Sequence, residues 1–299
     1  VMRRGEMVAH FETARTSPAE LAEAMVGRKV LLRVDKRPAT PGAPVLEVQD
    51  LRVTDAKKVE RLKGVSLTVR AGEILGIAGV AGNGQSELLE VLGGYMKATG
   101  SVRVKGVPQD LSRDDQGQAR RDAGVGHVPE DRQSEGLVLD FAAWENVCLG
   151  YHDRRPYSGS LLMDLAAMRR DADAKMGRFD VRPHDPLLAA KSFSGGNQQK
   201  IVVAREIESA PALLLVGQPT RGVDIGAIEF IHKQIVSLRD AGVAILLVSV
   251  ELDEILSLSD RIAVMFDGRI MGEREAGQTD ARELGLLMAG ITEPAGRAA

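Results

Sequence analysis

Short apolar runs alternate with amphipathic stretches along most of this chain. Glu73-Ile-Leu-Gly-Ile-Ala-Gly79, Ala212–Val216 and Val243–Ser249 are apolar at almost every position. Each is shorter than a typical helix, and each predicts a strand buried on both faces. Val45–Val53 partly alternates and predicts a half-exposed strand. Val65–Val69, Val102–Lys105, Val125–Val128 and Arg261–Met265 add four more. Between them, Ser86–Leu92, Ile201–Ile207, Ala227–Arg239 and Glu251–Leu258 read as helices. Buried strands alternating with helices imply a parallel sheet covered on both faces. Residues 131–190 break this pattern with charge-rich helical stretches, Leu161–Met176 the clearest, and with turn formers at Pro156, Ser158 and Gly159. They predict a mainly helical insert in an α/β core.

The two ends of the chain share one pattern. Residues 1–8 read as strand, turn at Gly5, strand, and Thr16-Ser17-Pro18-Ala19-Glu20 carries helix-start signals. At a constant offset of 263, residues 1–27 align with 264–290 without a gap, and nine of the 27 positions are identical. They are Val1, Met2, Gly5, Glu12, Thr16, Glu20, Leu21, Met25 and Gly27 with their counterparts. Such a repeat predicts a duplicated protein, of which 1–34 is the tail of the first copy. Residues 35–44 hold three Pro and one Gly, which no regular element accommodates. They read as a linker. The main domain then spans 45–130 and 191–290, with 131–190 as helical subdomain and 291–299 as a C-terminal tail.

Composition narrows the function classes. The 299 residues carry 39 Lys and Arg against 42 Asp and Glu, a net charge of −3 that gives no basic stripe for nucleic acid. The single Cys148 excludes an internal disulfide and a cysteine-built zinc site. The five His residues show no ligand spacing. No apolar run approaches the length of a membrane span, and no signal-peptide pattern opens the chain.

Gly79-Val-Ala-Gly82-Asn83-Gly84-Gln85-Ser86-Glu87 follows a predicted strand and precedes a predicted helix. There, glycines let successive backbone N–H groups face an anion at a helix N-terminus. The motif G-x-x-x-x-G-K-[ST] uses Lys for the β- and γ-phosphates and a hydroxyl for Mg²⁺. Gly79, Gly84 and Ser86 fit it, but Gln85 stands at the Lys position. Ser192-Phe-Ser194-Gly195-Gly196-Asn197-Gln198-Gln-Lys200 is far more specific.

With Gly126–Arg132, Gln218–Asp224 and Ser257–Val264, that segment resembles the ATP-binding cassette (ABC) ATPases. The likeness runs to importers of simple sugars and nucleosides whose ATPase subunit holds two cassettes in one chain. Gly126–Leu149 and Ile225–Ile231 lean toward the nucleoside type. The resemblance implies a P-loop NTPase fold: a RecA-like α/β core, an antiparallel β subdomain and a helical insert. It also sorts the residues. Gln85, Gly217, Gln218, Val250 and Glu130 stand where the family has the Lys, the Mg²⁺-supporting Asp, the catalytic Glu, the switch His and the glutamine-loop Gln. No ring before Tyr95 fills the usual adenine-stacking position. Phosphoryl transfer needs that charge and a positioned water, so this pocket is expected to hydrolyse little or nothing. The loop Gly79, Gly82, Asn83, Gly84, Gln85, Ser86 and Glu87 remains a nucleotide-binding candidate, with Ser86 as a weak Mg²⁺ ligand.

Ser194, Gly195, Gly196, Asn197 and Gln198 form the intact signature loop, which in the family closes over the nucleotide of a partner cassette. Asp224 falls in the family's interface loop. Asp140, Phe141 and Trp144 fall in the permease-facing part of the insert, and the spacing of Phe141 and Trp144 puts them on one helix face. The resemblance implies ATP and Mg²⁺, acting mainly at the partner cassette's composite site. It implies as partners an N-terminal cassette of the same full-length chain, membrane permease subunits and an extracellular or periplasmic solute-binding protein. It places the chain at the cytoplasmic face of the cell membrane. The competing reading is a non-transport P-loop module with a regulatory or structural dimerisation role.

Overall fold

Apolar runs become the centre of the molecule because they leave no polar side chain to satisfy. In a computed structural model, residues 1–3, 5–27, 34, 36–159 and 162–291 are described. Residues 28–33 of the predicted tail, the first linker position and 292–299 lie outside them.

The chain opens with a small antiparallel hairpin, Met2–Arg3 (β1) and Glu6–Met7 (β2), followed by the helix Pro18–Val26 (α1). Ser17 and Glu20 cap α1 reciprocally: the Glu20 N–H donates to the Ser17 hydroxyl at 3.3 Å and the Ser17 N–H to the Glu20 carboxylate at 2.9 Å. No helix or strand forms over 36–43, yet this stretch is tied down. The Lys36 ammonium donates to the carbonyls of Leu258 and Ser259 and to Asp260, and Arg239 donates to the Arg37 carbonyl.

Pro44–Thr54 (β3) and Glu60–Arg70 (β4) are long antiparallel partners, and Ile74–Ala78 (β5) follows. After the helix Gln85–Gly93 (α2), Thr99–Val104 (β6) and Val107–Pro108 (β7) complete a four-stranded antiparallel sheet in the order β4-β3-β6-β7. The short helix Gly117–Asp122 (α3) leads into Val125–Val128 (β8). The insert then contributes Ala143–Cys148 (α4) and Leu165–Arg178 (α5). The chain returns to the core through Gly195–Glu208 (α6), Leu213–Gly217 (β9), Ile225–Asp240 (α7), Ala244–Val248 (β10) and Leu252–Leu258 (α8). Arg261–Phe266 (β11), Arg269–Glu275 (β12) and Ala281–Met288 (α9) end it.

The central sheet has the order β12-β11-β5-β10-β9-β8, parallel except for the β11–β12 hairpin. Strand side chains alternate between two cores. Leu214, Val216, Ile245 and Leu247 face one shared with α6, α7, α8, α9 and the insert. Leu213, Leu215, Leu246 and Val248 face the other, shared with α2 and the antiparallel sheet. The architecture is a RecA-like α/β core with an antiparallel β subdomain and a helical insert.

Two expectations need correction. Phe141 precedes α4 in a turn, its N–H donating to the Val138 carbonyl at 3.0 Å, so Phe141 and Trp144 do not share a helix face. The buried Asn146 explains that turn: its side chain accepts from the Val138 N–H and donates to the carbonyls of Val138, Phe141 and Ala142. The second concerns α6, which starts at Gly195 rather than Ile201. Glycines are poor helix formers, but here they occupy the first turn.

Candidate functional site

The parallel strands deliver their C-terminal ends to one edge of the sheet, where α/β proteins bind ligands. A cleft of about 790 Å³ lies there, lined by Gly82, Gln85, Ser86, Glu130, Gln218 and Val250 among others. The loop between β5 and α2 forms its floor. Gly84 has φ +107°, a left-handed conformation open to glycine, and a Cβ there would also press within 2.9 Å of the Arg61 carbonyl.

Gln85 turns into its own loop. Its Nε2 donates to the Val80 carbonyl at 3.1 Å, and its Oε1 accepts the Asn83 N–H at 3.1 Å. It is 5% exposed and packs against Gly79. One N–H of the cradle is therefore engaged by the chain itself. Asn83 fastens the loop from outside, its Oδ1 accepting the Asp267 N–H at 2.8 Å. Glu87 lies 3.9 Å from Arg61, on the first turn of α2.

Ser86 donates its hydroxyl proton to Glu130 Oε2 at 2.6 Å. Gly217 is the last residue of β9, and a Cβ built on it would lie 2.6 Å from Glu130 Cγ. Glu130 thus fills the room a side chain at 217 would need. Gln218 has φ +45°, an uncommon backbone for a non-glycine residue. Its Oε1 accepts the Val250 N–H at 3.3 Å. The structure brings Gln85, Glu130, Gln218 and Val250 together in the cleft, with Gly217 against Glu130. Ser86 and Glu130 stand side by side as oxygen donors that suit Mg²⁺, and Glu251, Asp253 and Glu254 line the same cleft.

The signature residues gather elsewhere. Ser194 caps α6 from an exposed position, its Oγ accepting from Asn197 Nδ2 at 2.9 Å. Asn197 Oδ1 in turn accepts the Arg182 N–H at 2.7 Å. Gln198 is buried between the Ala190 carbonyl at 3.1 Å and Gln133 at 3.0 Å. Asp224 caps α7 through the Ala227 N–H at 3.0 Å, and a Cβ on Gly196 would meet it at 2.9 Å. Arg132 ties the segment after β8 to the loop between β9 and α7 by donating to the carbonyls of Arg221 at 2.6 Å and Gly222 at 3.2 Å. Ser194, Gly195 and Gly196 are not among the residues lining the cleft.

On the insert, Asp140 pairs with Lys191 at 2.7 Å and Phe141 is 44% exposed. Trp144 is half-buried in the insert with Arg169 stacked over its ring at 5.1 Å. Sequence reasoning misses two features of the cleft region. One is the role of Arg132. The other is a buried pair, His232 Nε2 and Glu254 Oε1 at 2.7 Å, on α7 and α8 in the cleft wall. Helical spacing offers no signal for either, since their partners lie far off in sequence.

Known proteins agree with this geometry. The sequence profile of the ABC transporter family matches residues 62–221. The guanosine import ATP-binding protein NupO of Bacillus subtilis is 45% identical over 98% of this chain and 57% of its own length. The ribose import ATP-binding protein RbsA of Halalkalibacterium halodurans is 41% identical over 91% of this chain and 52% of its own. This chain spans about half the length of these curated relatives. A solved dimeric bacterial ABC transporter cassette superposes with a TM-score of 0.66 at 25% identity, over 77% of this chain and 98% of that one. A nucleotide-free cassette gives 0.65 at 22%, over 78% of this chain and 92% of that one, and shows the shared fold. Profile, relatives and fold converge: the chain belongs to the ABC transporter family and carries its ATP-binding cassette.

Proposed function

We propose that this chain is the nucleotide-binding domain of an importer of nucleosides or simple sugars, and the second, catalytically degenerate cassette of a two-cassette subunit. Its own cleft hydrolyses little ATP. Its signature loop, Ser194-Gly195-Gly196, completes the active site of the preceding cassette. A hydroxyl, glycine N–H groups and a helix N-terminus are well suited to a γ-phosphate. The observation that carries the reading is the contrast between signature-like residues that do not line the cleft and four altered positions that do, with Gly217 behind Glu130 as the fifth.

The end-to-end repeat supports the duplication. Thr13–Arg15 and Ala276–Gln278 are both 3₁₀ turns at the same offset of 263. Thr16 donates to Glu20 at 3.1 Å, as Thr279 does to Glu283 at 2.7 Å. The same hairpin, turn and capped helix occur twice.

When bound, Mg²⁺-ATP supplies the transferable phosphoryl group, and coupling to uptake runs through permease subunits at the cytoplasmic face of the membrane. A solute-binding protein delivers the solute on the other side. Among the described residues no helix is long and apolar enough to cross a membrane. Within this chain, Gln218 orients a backbone N–H rather than a water, and its amide cannot take up a proton. Steady-state turnover of Mg²⁺-ATP by the purified chain tests the reading. The expected result is no turnover above background; substantial turnover abolished by Gly84→Asp would contradict it.

A further inference from the structure

We propose that residues 36–43 are a strap rather than a tether, and that Lys36 on it is a positioning residue for α7 and α8, the two helices that wall the cleft. The proposal rests on the reading of this stretch as the connection from a preceding cassette. Pro38 and Pro41 fix φ and stiffen it. Both of its ends are anchored. At one end the Lys36 ammonium spends its donors on the Leu258 carbonyl at 2.9 Å, the Ser259 carbonyl and Asp260 at 3.1 Å. At the other, the Gly42 N–H donates to the Ala71 carbonyl at 2.8 Å, and the Ala43 carbonyl accepts the Ala71 N–H at 3.0 Å. Asp260 gathers further ties: Arg239 donates to it at 2.7 Å, and so does the N–H of Ile74, the first residue of β5, at 2.9 Å. Arg239 is 1% exposed and also holds the Arg37 carbonyl at 2.9 Å.

These ties fall on the C-terminal ends of α7 and α8. A cation there satisfies carbonyls that have no partner within their own helix. The opposite ends of the same helices border the site. Asp224 caps the start of α7, and Glu251, Asp253 and Glu254 at the start of α8 line the cleft. The buried His232 and Glu254 brace the two helices against each other at 2.7 Å. Packed helices carry a displacement along their length as rigid elements. A shift of the strap therefore reaches the cleft wall and the Asp224 loop. Asp260 keeps Arg239 as a partner when Lys36 is lost, so such a change loosens the strap without stranding a buried carboxylate.

Hydrogen exchange of the purified chain, followed by mass spectrometry, tests this with Lys36→Met and Lys36→Arg. Lys36→Met keeps an unbranched side chain and loses its donors. It should accelerate exchange at least about fivefold in 36–43, and also at the far ends of the two helices, in 225–229 and 251–255. Lys36→Arg keeps donors for the same carbonyls and should restore wild-type exchange in all three segments. Strand β9, buried along its length, is the control and should keep its wild-type rate. Acceleration confined to 36–43 overturns the proposal. So does unchanged exchange throughout, equal acceleration in β9, or a Lys36→Arg chain that behaves like Lys36→Met. None of these results bears on the signature-loop reading, which turnover decides.

Discussion

Gln85 and Gln218 each carry an amide where the sequence resemblance leads one to expect a charge, and both amides hold backbone. Gln85 braces its own loop and Gln218 accepts the Val250 N–H. Their identities are legible in the sequence, because spacing from Gly79 and from the β9 run fixes which positions they occupy. Their contacts are not, since a hydrogen bond between residues 218 and 250 leaves no periodic trace. The same holds for Glu130 against Gly217. Asn146 shows the reverse weighting: nothing marks it in the sequence, yet its buried amide ties four backbone groups of residues 138–142. Asn146→Ala strands the Val138 N–H and takes a second donor from three carbonyls that keep a backbone bond. It should lower stability by about 2–3 kcal/mol, read as a lower urea midpoint with unchanged slope.

Elements follow the hydrophobic pattern where burial dictates them. β5, β9 and β10 are buried along their whole length, so their apolar runs announce them. The long strands β3 and β4 extend past their apolar segments because cross-strand pairing carries polar residues with it. Helix α6 begins in glycines for a packing reason: a Cβ at 195 would lie 2.8 Å from the Gly222 carbonyl and 2.5 Å from Arg132. Close approach of two loops overrides propensity there. The repeated helices α1 and α9 make the cap testable twice. Asp280 accepts the N–H groups of Arg282 and Glu283 at 2.9 and 2.8 Å, and α9 buries Leu284 and Leu287 in the core. Asp280→Ala should therefore cost about 1 kcal/mol of global stability. α1 makes few contacts with the cassette, so Ser17→Ala should accelerate hydrogen exchange in 18–26 and leave the urea midpoint unchanged.

The whole molecule is pinned where insert, core and α6 meet. Glu206 is fully buried there, and it is bonded by Arg121, Arg205 and Tyr151. Burial alone would raise its carboxyl, but the two guanidiniums outweigh that and hold it at about 2. Beside it, burial opposes protonation of His127 and holds the imidazole down to about 4, with Glu206 working against that shift. Both groups are protonated more readily in the unfolded chain, so both destabilise the fold as pH falls. His127 acts first, between about 6.5 and 4; Glu206 follows, from about 4.5 toward 2. The urea midpoint should fall from pH 7 to pH 5, and His127→Gln should flatten that first decline. A midpoint independent of pH over this interval would contradict the assignment.

At the same scale lies the claim on which the functional account depends: one chain supplies a signature to a neighbour and a non-hydrolysing pocket to itself. Its most direct test is ATP turnover by the assembled transporter carrying one substitution at a time in this cassette. Ser194→Arg, at an exposed site outside the chain's own cleft, should reduce turnover at least about tenfold by disturbing donors aimed at a developing phosphate charge. Gln85→Ala, inside that cleft, should leave turnover within about twofold of wild type. Equal losses from the two substitutions, or a larger loss from Gln85→Ala, would contradict the account.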